Sequence, residues 1–258
     1  MSPDLSTVRR VGAIARHQCV LMAGDPGPLI AFIVMPMVLV SVIQPMMVTL
    51  AHAAPGEVVD GTGQATAGMA VMFSLFVLKL AGASLLDEWM TWRTWDRVRS
   101  SPARVGEVLA GKAAPMLGYL LAQQFVLFVF ASVAFGLRST PDWGLVAVVG
   151  LVWALCVLAL GSGVAMLVRT SAQLSAVGDI SAVVITIMGG ALVPSAMLPD
   201  WMNAVGPVTP GYWAMRAYRS ALDGQAGAEF AQSLAVLGGF TALGLVTGAV
   251  VATVRASR

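Results

Sequence analysis

Six apolar runs dominate this chain, at 29–50, 65–86, 113–136, 143–168, 174–193 and 231–254, each 20 to 26 residues long. A helix needs about 20 apolar residues to cross a hydrocarbon core ~30 Å thick, so each run is long enough for one crossing. The connectors are short, and none can hold a sizeable soluble domain. Only 11% of the 258 residues are charged and 58% are hydrophobic, whereas a soluble domain carries about 25% charge. That is too little charge to coat a water-facing surface. The sequence therefore predicts an all-α polytopic membrane protein with six transmembrane helices, and it excludes catalysis by a separate folded domain.

The placement of charge orients the spans. With both termini in the cytoplasm, the inner pieces hold Arg9, Arg10, Arg16, Arg93, Arg97, Arg99, Arg104, Lys112, Arg169, Arg255 and Arg258, against Arg138, Arg216 and Arg219 outside. This follows the positive-inside rule, and an odd number of spans would spoil the segregation. Ala51-His52-Ala53 resembles a signal-peptidase site, but the preceding apolar run is too long for a secretory signal, so the first span is expected to stay in the mature protein. Cys19 and Cys156 fall in no external loop and give no disulfide framework.

Residues 1–28 read as an N-terminal unit ahead of a transmembrane domain at 29–258. Wound as a helix over 5–22, they place Leu5, Val8, Val11, Gly12, Ala15, Cys19 and Met22 on one side and Arg9, Arg10, Arg16 and His17 on the other. That is an amphipathic interfacial helix, with an uncommitted basic tail as the alternative. Asp25-Pro26-Gly27-Pro28 then turns the chain into the membrane.

Two ionisable residues lie inside spans. Lys79 sits about 10 Å deep in the second span, and Asp179 lies at similar depth in the fifth. Charges at that depth are costly and mark candidate functional sites. Two readings stand: an ion pair joining the spans, or independent snorkelling to water. The cytoplasmic block 87–112 is the chemically densest stretch. Glu88 opens it, and Trp89, Trp92 and Trp95 line one helical side as a membrane-boundary belt. Ser101-Pro102 is a helix start, so a short helix is expected over about 102–110, exposing Arg104 and Glu107 as a docking element. The external segment 194–230 is punctuated by prolines and glycines and carries Pro199, Trp201, Tyr212 and Trp213. It predicts short re-entrant or interfacial helices before the sixth span.

Several chemistries lack their residues. Neither of the two histidines lies in a span, so histidine-based catalysis and metal binding inside the membrane are not expected. Gly161-Ser162-Gly163 has no base beside its serine and reads as small residues for close helix packing. Gly111-Lys112-Ala113 lacks the glycine-rich approach and hydroxyl residue of a phosphate loop, so the chain is not expected to bind or hydrolyse ATP alone. No pattern suggests nucleic acid.

Taken together, three blocks resemble the membrane subunit of the type-2 ATP-binding-cassette (ABC) exporters. The first is the amphipathic N-terminal helix followed by Pro36; the second is Glu88, Thr94, Pro102 and Gly111-Lys112; the third is Gly190, Pro194, Leu198-Pro199, Trp201, Pro207, Pro210 and Tyr212-Trp213. Arg93 stands where that family shows glycine, and Trp89 where a basic residue is frequent. The resemblance implies a permease, paired with a second and identical copy, that works with two cytosolic ABC ATPase subunits carrying the ATP and magnesium. It implies a coupling helix around Arg99, Pro102, Arg104 and Glu107, a connecting helix at 5–22, and gating positions among Glu88, Lys79, Asp179, Pro199 and Trp201. It also implies a path lined by the second and fifth spans, where Met69, Met72, Phe73 and Phe76 suit a hydrophobic or amphipathic cargo. The location implied is the cell membrane, of the bacterial inner-membrane type. An ion-coupled carrier using Lys79, Asp179 and Glu88, and a non-transporting membrane scaffold, are the competing classes.

The topology has a direct test. In a background without native cysteines, Glu57→Cys is expected to react with an impermeant maleimide added outside intact cells, and Arg104→Cys only after the inner face is opened. The reverse pattern overturns the orientation.

Overall fold

A computed structural model describes residues 5–53, 60–86, 105–137, 141–192 and 197–256 of the chain. In chain order the helices are α1 (Leu5–Gly24), α2 (Gly27–Ala53), α3 (Gly61–Leu86), α4 (Val105–Phe135), α5 (Trp143–Leu167), α6 (Ser171–Met188), α7 (Asp200–Val205), α8 (Pro210–Leu222) and α9 (Ala228–Ala256), with a 3₁₀ turn at Gly206–Val208 between α7 and α8. The described residues contain no strand. Among the described residues, five stretches are long and apolar enough to cross a membrane: Ile30–Leu50, Ala110–Phe135, Trp143–Leu167, Ser171–Met188 and Ala228–Val251.

The remaining long helix, α3, is the hub. It touches α2, α4, α5, α6 and α8, and every residue from Gly61 to Val71 is buried. Small side chains make this possible, since Gly, Ala and Thr let neighbouring backbones approach closely where no water competes. At Gly68, a Cβ would lie 2.3 Å from the Ala191 carbonyl oxygen, so only glycine fits beneath the turn that follows α6. The same logic joins α5 to α9. A Cβ on Gly244 would meet the Ala159 backbone at 2.6 Å, and one on Gly163 would meet the Gly244 oxygen at 3.0 Å. The Gly161-Ser162-Gly163 motif thus serves helix packing, and the Ser162 hydroxyl donates to the Ala159 carbonyl within its own helix.

Prolines inside the apolar helices leave acceptors that must be satisfied locally. Pro36 in α2 has no N–H for the carbonyl of Phe32, four residues back, and Gln123 of α4 supplies one instead, its Nε2 donating to that oxygen at 2.8 Å. Side chains cap the starts of α5 and α6. Asp142 accepts from the Gly144 and Leu145 amides ahead of α5, and Thr170 accepts from the Gln173 amide ahead of α6.

Two expectations are corrected here. The short helix anticipated at about 102–110 is not separate from the third span over its described part: α4 runs unbroken for 31 residues from Val105, with Pro115 accommodated inside it. The N-terminal helix forms where expected but turns a different face to the protein. Arg10, Val11, Ile14, Gln18 and Met22 are half-buried or buried, whereas Val8, Gly12 and Cys19 are exposed. The cause is α4, which packs along α1. Ile14 settles directly over Gly111, where a Cβ would come within 2.7 Å, and this rotates α1 so that Arg10 faces the protein.

Candidate functional site

Polar contacts concentrate in three places on this apolar frame. The first is the junction of α1 with the start of α4. Glu107 lies in the first turn of α4, where a carboxylate favours the positive end of the helix dipole. It accepts from Arg10 at both oxygens, Nε to Oε2 and Nη2 to Oε1, each at 3.0 Å. Arg10 also donates to Thr7 at 3.3 Å. Such a two-pronged pair fixes geometry as well as charge. Glu107 is only 6% exposed, which corrects the expectation that it stands out as a docking side chain. Arg99, Pro102 and Arg104, the other coupling residues expected from the sequence, lie outside the described residues, as does Glu88.

The second place is the end of the bundle where α3 begins. Gln64 donates through Nε2 to the Gly190 carbonyl and accepts from Arg219 Nε at 2.8 Å, while Arg219 Nη2 reaches the same carbonyl at 3.5 Å. One glutamine thereby ties α3, the turn after α6, and α8 together. Gln44 of α2 donates to Thr62 at 3.1 Å on the adjoining turn, and Asp60 accepts from the Thr62 amide. Burial pushes the Asp223 carboxyl above its ordinary value, the neighbouring Asp60 pushes it further, and Arg219 pulls it back.

The third is the middle of the bundle. The Tyr218 hydroxyl of α8 donates to Gln124 Oε1 of α4, and Phe128 stacks on the Tyr218 ring with centroids 5.4 Å apart. None of Gln64, Gln123, Gln124, Tyr218 or Arg219 was singled out from the sequence for these contacts. The signal was there in the paired glutamines at the centre of an otherwise apolar run, because a buried amide demands a partner.

Of the expected path residues, Met69 and Phe73 are buried in the main core, and Met72 and Phe76 pack against it half-exposed. Phe73 and Phe76 meet edge to face at 5.7 Å. Asp179 is half-buried on α6, and Lys79 lies on α3 with its side chain outside the described residues. The two helices touch. From the contact of Gly68 with Ala191, Lys79 is eleven residues along α3 and Asp179 twelve back towards the start of α6, so both stand at about the same height. Pro199 precedes α7 in extended conformation, and Trp201 is 60% exposed on that short helix. The expected breaks are present: α7, the 3₁₀ turn and α8 replace one long helix, and Trp213 Nε1 donates to the Pro207 carbonyl at 2.8 Å. Arg216 sits 5.6 Å over the Trp213 ring and pairs with Glu229 of α9 at 3.0 Å.

A family model describing the ABC-2 type transporter membrane domain matches residues 9–222. The chain belongs to the ABC-2 type transporter family. It is a membrane protein with the role of an ABC transporter permease, and permeases of this family generally work with an ABC ATPase subunit. Neither the curated proteins nor the solved structures give a match. The matched stretch takes in most of α1, all of α3 and the helices that touch it, and α8 with Tyr218 and Arg219.

Two outcomes follow. Arg10→Glu is expected to release α1 from α4, read as new protease sensitivity within residues 5–24, and the exchange Arg10→Glu with Glu107→Arg is expected to restore protection; equal sensitivity in single and double variants rejects the pair as the fastening. For Asp223, a raised folded-state value means that the folded protein holds the proton more tightly than the unfolded chain, so this group's favourable contribution is present at acid pH and lost as pH rises. Asp223→Asn is therefore expected to melt above the parent at pH 7, with the two converging towards about pH 4. A gap unchanged by pH contradicts this.

Proposed function

We propose that the protein is the permease of an ATP-driven exporter that moves a hydrophobic or amphipathic cargo out of the cytoplasm, two copies pairing with two cytosolic ATPase subunits. The reading takes all six long helices, α2 to α6 and α9, as spans and puts both termini in the cytoplasm. The observation that carries it is the fastening of α1 to the first turn of α4 by Arg10 and Glu107. A push received by the block 87–104 reaches the bundle through the two helices it joins, α3 and α4. Because α1 is clamped to α4 at that end, the three helix ends move as one lever instead of dissipating the push in a loose terminal helix.

At the opposite end of α3, Gln64 bridges to Gly190 and Arg219. In this reading that bridge holds the outer ends of α3 and α6 together in one packing, and switching access means exchanging it for another. Closing of the ATPase pair around ATP biases that exchange only by the difference in its affinity for the two packings. About 5.5 kcal/mol moves such an equilibrium from one extreme to the other, and a few hydrogen bonds of this kind are of that order. Met72 and Phe76, the half-exposed members of the α3 set, are the side chains offered to cargo. The equal heights of Lys79 and Asp179 support an ion pair between α3 and α6 that stiffens the same lever.

Purification of the tagged chain in mild detergent is expected to bring down a nucleotide-binding subunit in equal amount, with vanadate-sensitive ATP hydrolysis. A clean, inactive preparation under conditions that keep complexes together, with transport that follows an ion gradient, shifts the reading to an ion-coupled carrier built on Lys79 and Asp179.

A further inference from the structure

An open cavity of about 570 Å³ lies between α4 and α5, on the outside of the bundle and away from the α3–α6 contact. Its walls are almost wholly apolar. Phe125, Val129 and Val133 come from α4, and Trp143 stands at the start of α5. Because α4 and α5 are antiparallel neighbours joined through 136–142, Val133 and Trp143 mark the end near the membrane boundary. Gln124 and Gly150 lie towards the deep end beside Leu121 and Leu151, and all four line the cavity.

Three described side chains keep a buried polar atom unmet, Gln123 at Oε1, Trp153 at Nε1 and Gln124 at Nε2, and of these Gln124 lines the cavity. It is 4% exposed, and its Nε2 has no hydrogen-bond partner, whereas its Oε1 is taken by the Tyr218 hydroxyl. With the oxygen engaged, what remains unmet is a donor, so the missing partner is an acceptor. Gly150 makes room for that oxygen, since a Cβ there would lie 2.9 Å from Gln124 Oε1. Nε2 itself is buried, so reaching the cavity takes a turn of the amide, and the terminal torsion of a glutamine is broad.

Depth decides what can supply that acceptor. Gln124 lies eleven residues before Phe135, the last residue of α4, which is ~16 Å of helix, or about half the hydrocarbon thickness. The ester carbonyls of bilayer lipids stay at the headgroup boundary and do not reach it, and their acyl chains carry no acceptor. We propose that the α4–α5 cavity is a binding site, entered sideways from the bilayer, for a neutral lipophilic molecule that carries a carbonyl or ether oxygen within its apolar body. The oxygen accepts from Gln124 Nε2, and the apolar body lies along Phe125, Val129 and Val133 towards Trp143. This goes beyond the permease reading, because the site lies apart from the α3–α6 path and needs no ATPase for occupancy.

The test uses the full chain in phosphatidylcholine nanodiscs with octylbenzophenone, a neutral aromatic ketone that cross-links on illumination. Labelling is expected on residues 121–133 and 143–151, displaced by a mid-chain dialkyl ketone but not by the alkane of the same length. Gln124→Leu is expected to reduce labelling about fivefold, the loss of one net hydrogen bond. Val133→Trp, a change at an exposed rim position that leaves the core untouched, is expected to block labelling and decides the matter if the Gln124 variant fails to fold. Equal displacement by ketone and alkane, labelling unchanged in the folded variants, or labelling elsewhere overturns the proposal. Co-purification of an ATPase, or its failure, bears only on the permease reading.

Discussion

Hydrocarbon offers no hydrogen bonds, so a polar group that this bundle carries into the membrane is costly unless another group meets it. Much of the tertiary structure follows from that single demand. Pro36 frees the Phe32 carbonyl, and Gln123 comes across from α4 to fill it. The turn after α6 leaves the Gly190 carbonyl pointing inward, and Gln64 and Arg219 converge on it from α3 and α8. Tyr218 needs an acceptor and finds Gln124. These few bonds link α2 to α4, α3 to α6 and α8, and α8 to α4. Apolar contact alone is poorly selective among neighbours in such a medium, because lipid tails are as apolar as leucine. The glutamines therefore specify which helix stands beside which.

Close packing supplies the complementary constraint. Glycine at 68, 163 and 244 removes the side chain where two backbones need to approach, which lets α3 sit beneath the α6 turn and α9 lie along α5. With α3 held at the centre by both means, its two ends become the sensitive points of the fold. One end leads into the block that faces the partner in the proposed exporter, and the other carries the Gln64 bridge. In that reading, Arg10 and Glu107 complete the lever by binding α1 to α4. In the proposed exporter, a mechanical signal entering at one end of α3 passes along that helix to the Gln64 bridge at the other.

The sequence and the structure part company most clearly at α1. Periodicity placed its arginines together on the side opposite the apolar residues, because a helix considered alone sorts residues only by their affinity for water or lipid. In the protein, Arg10 faces α4, since a buried carboxylate at position 107 outweighs the intrinsic preference of one arginine for solvent. Glu107 could not be recognised as its partner from sequence, being ninety-seven residues away. The break expected near residue 110 failed for a related reason. A Ser-Pro start is a local signal, and nothing local indicates that α4 continues through Gly111 into the membrane with α1 packed along it.

Length, hydropathy and the short connectors determined by themselves that this is an all-helical membrane protein, and the Leu-Pro-x-Trp and Pro-rich blocks were enough to reach the family that the match over 9–222 shows. Those properties are additive along the chain and survive without knowledge of neighbours. The tertiary structure alone decided that α3 is the hub, that Glu107 is clamped and not offered, and that Gln124 is left with a donor beside an apolar cavity. Each of these depends on which distant residue fills a particular polar vacancy, and in a medium without water that choice is made by packing geometry across helices, which no local pattern encodes.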